Sequence, residues 1–359
     1  MTVKNKIIVV GTSAKGGMEA VIDNHFKNGL YDNCDVELII SNSDGSALKR
    51  IYLGLLAAFK LLFAVANTRP IIVHMHGSER GSIYRKALYL FIAKLFGKKA
   101  AFHSHGAEFK HFYDVNSAVY RFLVRYILER CDAIFVLSKY WQDYMYEIAE
   151  PKMVEIINNF PTRAYEGDFD KRDVSSKESL VFLYLGYVGE RKGIYDLVDA
   201  VELLIQRNVR NFTIKVAGNG EVEQLKELLQ KRGLGSQFDV LGWISGDQKA
   251  TLMSDSDVLV LPSYNEGLSI AILEAFSTGL PVISTPVGGI PDAITNGING
   301  ILVTPGSSIE IADAIQHCLV DRTHLQNILD QANKLYQSEY SAQVNIKRID
   351  KVYSKLLAR

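Results

Sequence analysis

Glu266 and Glu274 stand eight positions apart in the run Glu-Gly-Leu-Ser-Ile-Ala-Ile-Leu-Glu-Ala, between a loop ending Pro262-Ser-Tyr-Asn265 and a helix stop at Gly279-Leu-Pro281. Ser269 suits the N-cap of a helix over residues 270–278, which Gly279 terminates and Pro281 follows. The first amides of such a helix lack intrahelical partners and carry the positive end of its dipole, so the loop in front of them suits an anion, phosphate above all. Glu266 sits on that loop. Glu274 falls among Ile270, Ala271, Leu273 and Ala275, where a lone charge is costly and needs a partner. Amides for phosphates, a carboxylate for hydroxyls and a second carboxylate beside a reaction centre together fit a nucleotide sugar. An ordinary capped helix with two surface glutamates, among forty acidic residues, fits the same letters.

Other groups that could do chemistry follow strand-like runs. Gly11 to Gly17 (GTSAKGG) lacks the lysine and the Ser/Thr of a phosphate-binding Walker loop, and it lacks the alternating glycines of the dinucleotide fingerprint. It predicts only a backbone that can approach something closely. His103-Ser-His105-Gly-Ala-Glu108 and His74-Met-His76-Gly-Ser-Glu79 repeat one wording, with imidazoles that can donate to sugar hydroxyls or move protons. They raise the question of a metal, but no third ligand has convincing spacing. Gly186-Tyr-Val-Gly189-Glu-Arg191-Lys192-Gly193 pairs two cations between glycines. It suits either a diphosphate or a solvated helix start.

The elements that position these groups alternate. Strand-length apolar runs occur at Lys6–Val10, Val36–Ile40, Ile71–His74, Ala100–His103 and Ala133–Leu137, and again at Leu180–Leu185, Phe212–Ala217, Val258–Pro262, Val282–Ser284 and Gly300–Val303, with helical segments between. That rhythm predicts two doubly wound parallel sheets, whose ligands bind at the carboxyl ends of the strands. The charged stretch Tyr165–Ser179 reads as a linker, giving domains over 1–165 and 166–339 and a terminal helix over 340–359 that packs back toward the first domain. At 359 residues two domains are expected.

Composition narrows the partners. Three scattered cysteines, Cys34, Cys131 and Cys318, form neither a disulfide framework nor a metal pattern, which suits a reducing cytoplasm. The overall charge is zero, yet residues 1–165 hold 21 Lys/Arg against 15 Asp/Glu and the remainder 19 against 25. Either complementary lobes or a basic face toward an anionic membrane accounts for this, as does chance. No basic cluster reaches the density of a nucleic-acid binder. Ile51–Val65 is too short to span a bilayer and reads as a buried core helix; shallow membrane contact by it, or by residues 83–99, is the alternative.

Taken together, these pieces resemble the retaining glycosyltransferases of family four, the large GT-B group that builds bacterial polysaccharides and glycolipids. Leu261-Pro-Ser-Tyr-Asn-Glu266-Gly-Leu-Ser-Ile-Ala-Ile-Leu-Glu274-Ala, followed by Gly279-Leu-Pro-Val-Ile and Val287-Gly-Gly-Ile-Pro, is similar to that family's E-x7-E region. The wording at 80–86 and 105–109 resembles exopolysaccharide and O-antigen transferases. The resemblance implies a GT-B fold, two Rossmann-like domains facing across a cleft. It implies that Glu274 holds the donor ribose, Glu266 meets the transferred sugar, and the amides of Gly267, Leu268 and Ser269 receive phosphate oxygens. Arg191 and Lys192 would neutralise the leaving diphosphate, the Gly16-Gly17 loop would close on it, and His105 would contact the donor sugar. Gly218, with Trp243 and Ile244, corresponds to the base-binding region, and Asn159 to an asparagine with an interdomain role. Relatives commonly carry Arg after the glycine equivalent to Gly186; here Tyr187 stands there, which weakens the expected diphosphate clamp unless Arg191 compensates.

The implied activity is transfer of a hexose-type sugar, with retention, from a nucleoside diphosphate sugar to a glycan or lipid-diphosphate-linked acceptor in surface polysaccharide biosynthesis, in the cytoplasm or peripherally at the inner membrane face. No metal is expected for the chemistry. Asp168-Phe-Asp170 and Asp255-Ser-Asp257 look like the metal motif of the other major glycosyltransferase fold, but fall in the linker and at a helix-to-strand turn. A nucleotide-sugar epimerase and a non-catalytic nucleotide-sugar-binding partner are the rival readings. A nicotinamide oxidoreductase lacks its fingerprint.

Overall fold

A computed structural model describes residues 5–66, 71–161, 174, 176–244 and 246–358. The chain divides into two compact units, one of Met1–Thr162 with Ala342–Arg359 and one of Arg163–Ser341. Most of the expected linker, including Asp168 and Asp170, lies outside the described residues.

The first unit is a parallel six-stranded sheet of β1 (Lys6–Gly11), β2 (Asp35–Ile40), β3 (Ile71–Gly77), β4 (Lys99–Ser104), β5 (Ala133–Val136) and β6 (Val154–Ile156), in the order β2-β1-β3-β4-β5-β6. Its central strands are buried on both faces, which is why they read as unbroken apolar runs. One face carries Val73, Met75 and Phe102 into a core with α2 (Ala47–Val65), α3 (Gly81–Leu95), α5 (Ala118–Arg130) and α6 (Lys139–Ile148). The other carries Ile7, Val9, Ile72, Ala101 and Phe135 against Ile349, Val352 and Tyr353 of the terminal helix α14 (Ala342–Leu357). The short α4 (Phe109–Val115) follows β4, and α1 (Gly17–Lys27) follows β1. Ser46, Ser117 and Ser138 each cap a helix start by accepting from an amide three residues on.

Two expectations are corrected here. β6 does not appear among the expected strands, because its three residues Val-Glu-Ile give too short an apolar signal. Neither is α2 a buried core helix: Gly54, Ala57, Leu61 and Val65 form a narrow buried stripe, while Ile51, Tyr52, Leu55, Phe59 and Phe63 are exposed. Among the described residues no helix is long and apolar enough to cross a membrane.

The second unit repeats the plan with β7 (Leu180–Leu185), β8 (Phe212–Ala217), β9 (Phe238–Gly242), β10 (Val258–Leu261), β11 (Val282–Ser284) and β12 (Ile301–Leu302), in the order β12-β11-β10-β7-β8-β9. The strand β9 gives no clear apolar run, because Asp239 interrupts it and Gly242 ends it. Helices α7 (Ile194–Gln206), α8 (Val222–Arg232), α9 (Gly246–Ser254), α10 (Ile270–Ser277), α11 (Ile290–Ala293), α12 (Ser308–Val320) and α13 (Arg322–Leu335) complete the unit. The chain begins at β7, winds outward to β9, then returns to β10 beside β7 and winds the other way. The β7/β10 boundary is therefore the switch point at which open α/β sheets bind ligands.

Candidate active site

The two loops that leave the switch point are Gly186–Gly193, after β7, and Pro262–Ser269, after β10. They are stitched together. Tyr264 N donates to Arg191 O at 2.9 Å, and the Arg191 guanidinium donates to Asn265 O at 3.1 Å. Lys192 pairs with the buried Glu266 carboxylate, which also accepts from Ser263 Oγ at 3.0 Å. Gly193 is in the left-handed region (φ 70°), and a Cβ there would lie 2.0 Å from Pro262 O. On the far side Gly289 N donates to Gly267 O at 2.7 Å, and a Cβ on Gly288 would lie 1.7 Å from Glu266 O. Glycine at both positions lets three backbones meet around Glu266. Nearby, burial raises the Tyr184 phenol well above its ordinary range, with the Glu266 charge adding to it.

Helix α10 starts where expected and ends one residue early. Ser269 occupies the N-cap position with extended geometry, but its side chain makes no capping bond, contrary to the expected role. Its hydroxyl therefore does not compete with an incoming acceptor for the first-turn amides. Gly279, at φ 68°, follows the helix end. Glu274 is 2% exposed. Lys249 Nζ, from α9, lies 2.5 Å from Glu274 Oε1, while Glu274 Oε2 has no hydrogen-bond partner among the described residues. A buried carboxylate oxygen without a donor is costly unless something supplies one.

Gly218 follows β8, and a Cβ there would lie 1.7 Å from Gly186 O, so the turns after β7 and β8 pack backbone to backbone. Trp243 is 48% exposed after β9, and Ile244 is half-buried beside it. Tyr187 is 45% exposed; its ring lies against Gly189 and Gly220, and its carbonyl accepts from Tyr184 Oη at 2.7 Å. It thus covers a glycine turn, whereas the neighbouring cations Arg191 and Lys192 face the β10 loop. Asp257 of the second Asp-x-Asp pairs with Lys177 at 2.5 Å and accepts from Val181 N, a turn-and-strand role.

In the first unit Gly16 (φ 151°) precedes α1, and a Cβ on Gly16 or Gly17 would meet nothing within 4 Å. His105 is half-buried, its amide bonded to Gly77 O at 2.9 Å and its Nε2 2.9 Å from His76 Nδ1. Burial lowers His105 to about 3, with His25 and Lys86 adding to the effect. Burial likewise holds His74, His76 and His103 well below the ordinary imidazole range, so these rings are neutral at physiological pH. Asn159 is buried near the end of the unit.

The family description "Glycosyl transferases group 1" matches residues 167–335, the stretch that holds every one of these second-unit residues. The second unit is thus similar to the group 1 glycosyl transferases. An uncharacterized glycosyltransferase of Methanocaldococcus jannaschii is 26% identical over 67% of this chain and 64% of its own length, so the chain spans less than two thirds of that relative. Sucrose-phosphate synthase from Thermosynechococcus elongatus superposes with a TM-score of 0.80 at 17% identity, covering 99% of this chain and 100% of that one. HepE of Anabaena, solved with UDP-glucose, gives 0.76 at 18% identity, covering 98% and 99%. The fold is GT-B, with two six-stranded parallel sheets.

Within the second unit the two carboxylates, Glu266 and Glu274, turn out to be paired, which their spacing does not reveal. Lys249 stands 25 positions before Glu274 and Lys192 stands 74 before Glu266. Ser263 and Lys249 escaped the sequence reading. The one signal pointing to Lys249 was the need of a buried carboxylate for a cation, without any indication of which.

Proposed function

We propose that the chain is a retaining glycosyltransferase, moving a hexose-type sugar from a nucleoside diphosphate sugar to a glycan or lipid-linked oligosaccharide acceptor in surface polysaccharide biosynthesis. The half-used Glu274 carboxylate carries this reading. Its Oε2 is buried and has no donor among the described residues, which leaves it able to accept from a ribose hydroxyl. The UDP-glucose complex of HepE, which shares the fold, supports a nucleotide-sugar donor. The names of relatives favour transfer over epimerisation.

In this reading the bond from the anomeric carbon to the diphosphate breaks with its electron pair going to the diphosphate. Arg191, Lys192 and the first-turn amides of Gly267, Leu268 and Ser269 stabilise that charge. The acceptor oxygen attacks from the same face, and its proton passes to the departing phosphate oxygen. Glu266, held by Lys192 and Ser263, faces the sugar as it becomes oxocarbenium-like. The protein's share is orientation and electrostatics, and the chemistry needs no metal. Gly218, Trp243 and Ile244 are assigned to the base. The parts of His105 and the Gly16-Gly17 loop rest on the family resemblance alone. The exposed apolar side of α2, with Lys49, Arg50 and Lys60 exposed on the same helix, supports peripheral contact with an anionic membrane presenting a lipid-linked acceptor.

The test is release of nucleoside diphosphate and formation of glycosylated acceptor by the purified chain across a panel of nucleotide sugars, with and without EDTA. Glu266→Ala and Lys192→Ala should each lose most transfer while remaining folded; full turnover in both would refute the assignment. An isomerised donor would indicate an epimerase, and binding without diphosphate release a non-catalytic partner.

A further inference from the structure

The apolar face of the first sheet is interrupted at one place. Ile7, Val9, Ile72, Ala101 and Phe135 lie on that face, and the strand period of two puts His74, His76 and His103 there as well. The register pairs His76 with His103 across β3 and β4, so a third imidazole joins two that sit at i and i+2. All three side chains are at most 1% exposed, and one nitrogen from each lies within 4.8 Å of the others. Aliphatic residues would satisfy this face at no polar cost. Three buried imidazoles instead break the local rule, which is expected where a site is built.

Their outer nitrogens are used in a telling way. His74 Nδ1 is 2.6 Å from the Tyr353 phenol, and His76 Nδ1 is 2.9 Å from His105 Nε2. When His74 and His76 donate in these bonds, each Nε2 presents a lone pair. Among the described residues neither Nε2 has a hydrogen-bond partner, and His103 has at most a weak backbone contact from Ile157. His74 and His76 thus each have one nitrogen held by an outer partner and the other left open, as metal-binding histidines do. His105 is only half-buried, and its ring centroid is 4.3 Å from that of His103.

We propose that His74, His76 and His103 bind one divalent transition-metal ion of the zinc type, as a structural site tying β3 to β4. Three neutral imidazoles and one further ligand form an ordinary tetrahedral zinc shell. Bonds of about 2.0–2.1 Å set nitrogens about 3.4 Å apart, so each ring closes by at most about 0.8 Å from the present spacing. The site is separate from the second-unit carboxylates, and it stands or falls independently of the transfer reaction.

The experiment uses the full chain and zinc chloride. Protein is produced in zinc-supplemented medium, and in parallel refolded with zinc, then desalted and its metal content measured. One zinc per chain is expected, with X-ray absorption at the zinc edge showing imidazole scattering from three ligands. His103→Gln should weaken binding at least 100-fold, and Tyr353→Phe about 10- to 100-fold through the His74 ring. His317→Gln, which alters the separate His317–His324 ring pair, should change neither stoichiometry nor affinity. Absence of retained zinc by both routes, or an absorption spectrum with an oxygen-only shell, would overturn the proposal. So would binding that survives in folded His103→Gln or disappears in His317→Gln. The absorption measurement needs no variant, so a His103→Gln protein that fails to fold leaves the test intact.

Discussion

Lys249 Nζ sits 2.5 Å from Glu274 Oε1, while Oε2 of the same buried carboxylate has no partner among the described residues. The pair is structural at one oxygen and available at the other. Lys249→Met strands a charge that is 2% exposed, and breaking a buried pair from one side costs about 3–5 kcal/mol. A drop of that size in denaturant-unfolding free energy is expected, with most of it recovered in the Lys249→Met/Glu274→Gln double variant. Additive losses in the double variant would show that the two are not coupled.

Glu274→Gln keeps the shape and removes the charge that would accept from ribose hydroxyls. Nucleoside diphosphate affinity should fall roughly 10- to 100-fold, the scale of a charge-assisted hydrogen bond. Calorimetric titration with UDP and GDP measures this, and unchanged affinity for every diphosphate bound by the wild type would remove Glu274 from the nucleotide site.

At Gly288 a methyl group would lie 1.7 Å from Glu266 O, on backbone already at φ 55°. Gly288→Ala must push the two loops apart and displace Glu266 from Lys192 and Ser263. Transfer should drop by two orders of magnitude or more, since small misplacements at a reacting centre have that effect. Gly233→Ala, where nothing lies within 4 Å but φ is also positive, is the control for backbone strain alone. Equal loss of transfer in the two would separate Gly288 from the site.

Burial lowers the Lys86 ammonium from 10.5 to about 7, although it reaches Ser41 Oγ at 3.1 Å. Between those values the unfolded chain holds a proton that the folded chain does not, so folding stability rises with pH across that window. Below pH 7 the folded chain must carry the buried charge and the penalty is complete. Lys86→Met should therefore stabilise the protein most at pH 7 and below, by at most about 4–5 kcal/mol, with the gain shrinking toward pH 10. Urea unfolding at several pH values reads the difference directly; a gain independent of pH would contradict it.

The exposed aromatics of α2 lead to a surface prediction. The Phe59 and Phe63 rings lie tilted against each other with centroids 4.6 Å apart, and each residue is at least 60% exposed. Replacing both with serine should reduce co-sedimentation with phosphatidylglycerol vesicles several-fold and leave nucleotide binding unchanged. If wild-type protein ignores such vesicles, the proposed membrane contact is wrong.

Much of this was legible in the letters. Ten apolar runs located ten of the twelve described strands, the central ones most plainly because a strand covered on both faces is apolar almost throughout. The two missed, Val154–Ile156 and Phe238–Gly242, are short, and each is broken by one acidic residue. The loop-and-helix at Glu266–Ala275 was equally plain, since caps, glycines and a charge in an apolar helix are local signals. The N-cap position of Ser269 was readable; its failure to cap was not, because rotamer choice depends on the surrounding loops.

By itself, then, the sequence determined the alternation of strands and helices and the place of the two glutamates. It could not pair them. Lys192 reaches Glu266 because β7 and β10 are neighbours in the sheet, and Lys249 reaches Glu274 because α9 after β9 and α10 after β10 both start at the carboxyl edge of the parallel sheet. His76 meets His103 only through the register of β3 on β4, and His74 meets Tyr353 across 279 positions. Short-range preferences are written in neighbouring side chains, whereas these contacts depend on strand order and register, which exist only once the apolar faces have been buried together.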